Sequence, residues 1–296
     1  MKKIIIGIPI YNGALTIERT FASLRKAIVY CKNLYLCDIE IVFVLNGCAD
    51  ESEKIVKDII EFNTDLTIRM ISIERACKAM AINILRDNEA DYIGYVDDDI
   101  IFDEEAIFEE VILLDSDDDI WGVFVDPFPL PSRDDIGWWG EIVYSAMTIR
   151  TRFNLLAERC SFLIGRCVLL RRDKMPLIPG DTINEDQYLD YSLYPHIKKV
   201  TGPFVFYEGI YSIGKYFQRD IRITAGRKQL QKSLPREITG IADRRISRKI
   251  SYKKLFELPI SSIFIYIIYR IIYRASKVVV GVCLLINKKP QWKRTN

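Results

Sequence analysis

Three consecutive carboxylates, Asp97, Asp98 and Asp99, stand directly behind the apolar run "YIGYV". Like charges packed beside a buried segment repel one another unless a cation neutralises them. Carboxylate oxygens are the ligands that Mg²⁺ and Mn²⁺ prefer, above all when the ion also holds phosphates. Alternate side chains of an extended chain point the same way, so Asp97 and Asp99 share a direction that Asp98 does not. The plainer reading is a solvated turn, with Asp103, Glu104 and Glu105 as the acidic first turn of a helix. The strand-end position of the triplet favours a divalent-metal and diphosphate site instead.

Such a site needs a frame. Up to about Asp126, short apolar runs alternate with amphipathic ones. "KIIIGIPI", "IEIVFVL", "LTIRMISI" and "YIGYV" predict four strands, and "IWGVFVD" a fifth. Between them, Leu15, Phe21, Leu24 and Ile28 recur at helical spacing. "ADESEKIVKDIIEF" predicts a helix capped by Asp50, "ACKAMAINILRD" another, and a further helix starts near Asp103. Strands alternating with helices imply βαβ units, hence an α/β fold with a mostly parallel, Rossmann-like sheet. Ligands of such sheets bind beyond the carboxyl ends of the strands. That rule brings "YNG", "NGCADES" and "DDD" to one rim.

Beyond Asp126 the alternation ends. "DPFPLPSRDDIGWWG" reads as a long loop or lid carrying Trp138 and Trp139, for which core burial is the bland explanation. "TINEDQYLDYSLY" opens a helix, and the only histidine, His196, is assigned a structural role. The seven cysteines include no CxxC pair, which indicates neither a zinc site nor a disulfide framework and fits reduced thiols. The apolar start is too short for a signal peptide before Tyr11 and Asn12 and reads as a first strand.

The net charge of +2 conceals a basic last third, with "DRRISRK" and a terminal "KKPQWKR". No basic helix or aromatic motif points to nucleic acid, so an anionic membrane surface is the expected partner. The nearby run "LPISSIFIYIIYRIIYRASKVVVGVCLLINKK" is interrupted by Arg270, Arg274 and Lys277. A cation in mid-membrane costs about 2.5–3.5 kcal/mol. An amphipathic helix lying in the membrane interface is therefore preferred, with a buried helix of an oligomer or a true span as the alternatives.

"IPIYNG" after the first strand, "VLNGCADES" after the second, "VDDD" after the fourth and the downstream "NED" together resemble the family 2 glycosyltransferases of GT-A fold, over roughly residues 3–230. The resemblance implies a UDP- or GDP-sugar donor laid across the strand ends. Pro9, Tyr11 and Asn12 match the first donor loop, and Asn46, Gly47 and Asp50 the second, with Cys48 where Ser is common. Lys78 and Asn83, in "ERACKAMAIN", match a further donor stretch, although an amphipathic helix surface explains them equally well. Asp97 falls at the donor ribose and the metal, Asp99 at the metal, and Asp98 beside them in a supporting part.

An inverting transfer needs a carboxylate to deprotonate the acceptor hydroxyl. Asp186 matches the family's base, with Glu185 as understudy or acceptor binder; a plain helix start capped by Asn184 is the competing reading. A "QxxRW" motif is missing from "YFQRDIRITAGRKQ", which implies a non-processive enzyme. The expected organisation is a GT-A domain over 1–232, with a nucleotide-sugar half (1–126) and an acceptor half (127–232). A basic, membrane-associating region follows (233–296). The expected activity is a metal-dependent glycosyl transfer, using Mg²⁺ or Mn²⁺, to a lipid-linked or polysaccharide acceptor at the cytoplasmic membrane face. A sugar-nucleotidyltransferase and an inactive membrane-bound scaffold of the same fold are the alternatives.

Overall fold

The computed structural model describes residues 1–153, 162–240 and 252–285. Cys160, "DRRISRK" and "KKPQWKR" lie outside the described residues. The chain divides into two compact units. The first is Met1–Pro127 with Leu163–Tyr207, and the second is Phe128–Phe162 with Glu208–Asn296.

The first unit is built on a sheet whose strands are β1 (Lys2–Ile10), β2 (Cys37–Asn46), β3 (Thr67–Ile73), β4 (Tyr92–Val96), β5 (Ile100–Phe102), β6 (Gly122–Pro129), β7 (Cys167–Arg171) and β8 (Ile197–Tyr207). Their order is β3-β2-β1-β4-β7-β6-β8-β5. β1 pairs in parallel with β2 and β4, and β2 in parallel with β3, as βαβ units require. From β4 onward the character changes: β7 runs antiparallel to both β4 and β6, and β5 antiparallel to β8. β5, a short strand not expected from the sequence, directly follows the Asp97–Asp99 turn, and the helix expected from about Asp103 begins at Ala106.

Both sheet faces are covered, which is why β1 is an unbroken apolar run. Ile4, Ile6, Ile8 and Ile10 face a layer made by α1 (Ile17–Leu34), α2 (Ser52–Phe62) and α4 (Ala106–Asp115). Ile5, Val42 and Val44 face α3 (Lys78–Arg86) and α6 (Glu185–Leu193). α3 lies so close to β1 that a Cβ on Gly7 would sit 1.9 Å from Leu85 Cδ1. Leu15, expected on the buried face of α1, is instead fully exposed. The helix begins two residues later, where the N–H groups of Thr16 and Ile17 donate to the Gly13 carbonyl.

In the second unit, α5 (Gly137–Arg152), α7 (Ile213–Ser233) and α8 (Ile260–Leu285) pack through Ala146, Ile149, Tyr216, Tyr266, Tyr269 and Ile272. The Arg150 guanidinium donates to the Tyr269 hydroxyl at 2.9 Å, and Lys277 pairs with Asp220 at 3.2 Å. The opposite face of α8 carries Ile260, Phe264, Ile267, Ile271, Val278 and Val282, all exposed and three, four or seven residues apart. Among the described residues, no helix is long and apolar enough to cross a membrane. The tryptophan pair departs from expectation. Trp138 and Trp139 occupy the first turn of α5, edge to face, and are 76% and 51% exposed, so core burial does not account for them.

Candidate active site

The parallel strands β1, β2 and β4 end on the same rim, and their loops are stitched together there. Pro9 is buried in β1 opposite Val44, and Tyr11 lies half-buried just past the strand. Asn12 adopts φ 52°, a left-handed conformation that asparagine tolerates better than most residues, and its Oδ1 accepts the Ala49 N–H at 2.8 Å. The Gly13 N–H donates to Ser52 Oγ at 2.8 Å and the Ala14 N–H to Asp50 at 3.0 Å. Burial alone would raise the Asp50 pKa. Hydrogen bonds from Ser52 and Ala14 outweigh it and hold the carboxyl below its ordinary range.

Asn46 is buried, and its side-chain oxygen accepts the Cys77 N–H at 2.6 Å. Gly47 has φ 71°, and an added Cβ would lie 2.8 Å from the Ala76 nitrogen, so only glycine fits this crossing. The pair thus anchors the start of α3. Farther along that helix, the Asn83 amide spends both ends on one residue. Its Nδ2 donates to the Ile178 carbonyl at 2.7 Å and its Oδ1 accepts the Ile178 N–H at 3.0 Å. This clamps α3 to the segment leading into α6.

α3 thereby delivers Lys78 into the carboxylates. Its ammonium lies 2.8 Å from Asp97 Oδ1 and 3.2 Å from Glu185 Oε1, above the buried ring of Tyr95. The reading of Lys78 as a surface residue therefore gives way to one in which it faces the site. Burial would lower its pKa, but Asp97, Glu185 and Asp186 together push it above the ordinary lysine value. Lys78 stays a cation, and one ammonium bridges the acidic turn after β4 to the acidic start of α6.

A second cation, not anticipated from the sequence, comes from the residue immediately before β7. The pairing of Val96 with Cys167 places Arg166 beside Asp97, whose N–H donates to the Arg166 carbonyl at 2.9 Å. Arg166 Nη1 lies 3.2 Å from Asp99 Oδ1 and 3.7 Å from Asp97 Oδ2, and the guanidinium stacks 4.3 Å from the centre of the Tyr207 ring. Burial disfavours its charge, yet Asp99 and Asp97 raise its pKa further. Asp98 turns elsewhere. Its carboxylate occupies the space that a Cβ on Gly13 would need, and its carbonyl accepts the Thr20 hydroxyl at 3.0 Å. Asp186, in the first turn of α6, packs against Gly165, where an added Cβ would lie 1.8 Å from Oδ1. His196 stacks on Trp121 at 3.7 Å and meets the Asp119 carbonyl at 2.9 Å, a structural placement.

Asp97 and Asp99 converge on a single guanidinium nitrogen, so a positive charge already sits between them. Two carboxylates suit a divalent ion that draws its remaining ligands from a diphosphate. Among the described residues, no group of three or more His, Cys, Asp or Glu would enclose a metal unaided.

Residues 5–176, more than half of the chain, match the family model described as Glycosyl transferase family 2. The chain belongs to that family. No curated protein matches the sequence. Among solved structures, the mannosyltransferase PcManGT from Pyrobaculum calidifontis, in complex with GDP-Man and Mn²⁺, aligns at 14% identity and a TM-score of 0.58, covering 96% of this chain and 78% of that one. S. aureus TarS 1–349 aligns at 15% identity and a TM-score of 0.51, covering 83% and 70% respectively. The same TarS fragment in complex with UDP-GlcNAc aligns at 16% and 0.50, covering 91% and 79%. At these identities the structural likeness establishes the fold, that of GT-A glycosyltransferases. Family membership makes this family 2 protein a glycosyltransferase enzyme.

Proposed function

We propose that this family 2 enzyme transfers a sugar, with inversion, from a UDP- or GDP-sugar to a lipid-linked or polysaccharide acceptor, using Mg²⁺ or Mn²⁺. The carrying observation is the Lys78 bridge, which holds the turn containing Asp97 and the α6 start containing Glu185 and Asp186 within reach of one ammonium. Structural relatives solved with GDP-Man and Mn²⁺ and with UDP-GlcNAc support a nucleotide-sugar donor.

Pro9, Tyr11, Asn12, Asn46, Gly47 and Asp50 line or brace the donor rim, Asp98 packs on Gly13 within it, and Lys78 and Asn83 hold the side formed by α3. Asp99 and Asp97 would hold the metal, and the chemistry it would supply is neutralisation of charge on the departing nucleoside diphosphate. The base is assigned to Asp186, at the position where the family resemblance places it, and it takes the proton of the acceptor hydroxyl as that oxygen attacks the sugar carbon. Residues 1–126 are assigned to the donor, 127–232 to the acceptor and 233–296 to the membrane. The exposed apolar stripe of α8, bordered by Arg270, Arg274 and Lys277 and without an acidic residue in the helix, supports seating on an anionic membrane surface; the cytoplasmic side is part of the proposal.

The test is release of UDP or GDP from a panel of nucleotide sugars, with and without Mg²⁺ or Mn²⁺. Metal-dependent release from one class of donor is expected. Full release in chelator overturns the metal, and no release from any UDP- or GDP-sugar overturns the donor class.

A further inference from the structure

Asp97 and Asp99 already have internal cations. Lys78 takes one oxygen of Asp97, while Arg166 Nη1 lies near the other and at 3.2 Å from Asp99 Oδ1. The Asp99 side chain is only 9% exposed and that of Arg166 21%, so water screens this pairing weakly. We propose that Arg166 is a positioning residue that competes with the divalent cation for Asp99 and Asp97, so that metal and nucleoside diphosphate enter the site as mutually dependent partners. The inference rests on the reading of Asp97 and Asp99 as metal ligands.

The argument is one of charge. A guanidinium does not lose its proton in a protein, so Arg166 cannot leave the carboxylates by becoming neutral. A divalent ion binding alone must take Asp99 from Arg166. That step strands a weakly hydrated guanidinium and places two positive charges beside it and beside Lys78. A nucleoside diphosphate binding alone brings its own negative charge next to Asp97 and Asp99. When both bind, the metal takes the carboxylates, and the displaced guanidinium meets phosphate oxygens, for which its planar fork is suited. The Tyr207 ring, 4.3 Å away on its face, supports the guanidinium through this exchange of partners. Each ligand thereby removes the obstacle to the other, and by linkage the two effects are equal in size.

Arg166 also meets the requirement of being held in place by the fold. It lies immediately before β7 and is fixed to Asp97 through the backbone hydrogen bond at 2.9 Å.

The experiment measures Mn²⁺ affinity of the full chain, by electron paramagnetic resonance of free Mn²⁺, without nucleotide and with saturating UDP or GDP. For the unaltered protein, nucleotide is expected to tighten Mn²⁺ binding. Arg166→Gln is expected to bind Mn²⁺ alone at least about tenfold more tightly, the size expected for one lost charge-assisted contact, and to show a correspondingly smaller gain from nucleotide. Mn²⁺ affinity unchanged or weakened in Arg166→Gln overturns the proposal. Arg166→Lys serves if the Gln variant does not fold. With a shorter reach and no fork it is expected to tighten Mn²⁺ binding by a smaller factor, and an unchanged affinity counts against the idea equally. Asp99→Asn separates the two layers of the inference. Loss of Mn²⁺ binding is expected, whereas undiminished binding overturns the metal assignment itself and the competition with it.

Discussion

Lys78 lies 3.2 Å from Glu185, joining the first residue of α3 to the first residue of α6 through an ion pair whose side chains are 13% and 6% exposed. The same ammonium neutralises Asp97. Lys78→Met leaves the buried Glu185 without the Lys78 cation and Asp97 with Arg166 alone, and a loss of about 3–5 kcal/mol of stability is expected. Chemical denaturation measures it. Lys78→Arg is expected to recover most of that loss, and a Met variant as stable as the parent removes Lys78 from its bridging role.

Asp99→Ala and Asp186→Asn are expected to fail differently. Both abolish turnover, the second by about 10²–10⁴-fold, as for removal of a general base. Only Asp99→Ala is expected to weaken metal-dependent nucleotide binding. Steady-state kinetics with isothermal titration of UDP or GDP distinguishes them, and unchanged turnover in either variant deprives that residue of its role.

Gly165→Ala tests the seat of the base without touching it. The new methyl would lie 1.8 Å from Asp186 Oδ1 and 2.2 Å from its Cγ, so the carboxylate must swing aside to admit it. An expected loss of about 10²-fold in kcat, typical for a displacement of about 1 Å, accompanies an unchanged melting temperature and donor affinity. Full activity in this variant means that Asp186 does not act from this position.

Glu110 is buried in α4 beside the Cys167 thiol, 3.4 Å away. Burial pushes its pKa from 4.5 up to about 8, although the thiol hydrogen bond pulls the other way. The native chain keeps a proton that the unfolded chain releases. The resulting stability is complete below the unfolded pKa and is lost as pH rises through about 8. Glu110→Gln carries no such proton, so its stability is expected to fall less steeply across that interval, by up to about 1.4 kcal/mol per pH unit. Parallel stability profiles for variant and parent remove Glu110 as a source of pH dependence.

Seating of α8 on lipid is read by vesicle sedimentation. Ile271, 62% exposed, lies in the middle of the apolar stripe. Ile271→Glu is expected to cut partitioning onto anionic vesicles about tenfold or more. Undiminished binding sinks the membrane role of this face.

The rim was legible because the sheet rule needs only strand ends: "YNG", "NGCADES" and "DDD" each follow a run too apolar to be anything but a buried strand. Alternation likewise anticipated that Asp98 turns away from Asp97 and Asp99, as its packing on Gly13 displays. Lys78 was visible only as a position on a helix. Whether it met water or Glu185 depended on α6, a hundred residues downstream, docking against α3. Arg166 was hidden more deeply, since β4 and β7 carry no local mark of being antiparallel partners. Asn83 fitted two readings until the Ile178 backbone appeared on both ends of its amide. The exposed Trp138 and Trp139 have no explanation in the packing of α5.

The β4–β7 ladder also has an evolutionary consequence. Because Val96 is matched to Cys167 and Arg166 immediately precedes that pair, deleting Arg166 would thread Gly165 into its place, with every apolar strand residue left where it was. The electrostatics of this site can therefore be rewritten by chain length alone, so a homologue with a one-residue indel before β7 would differ in cation affinity while keeping every acidic residue of the rim.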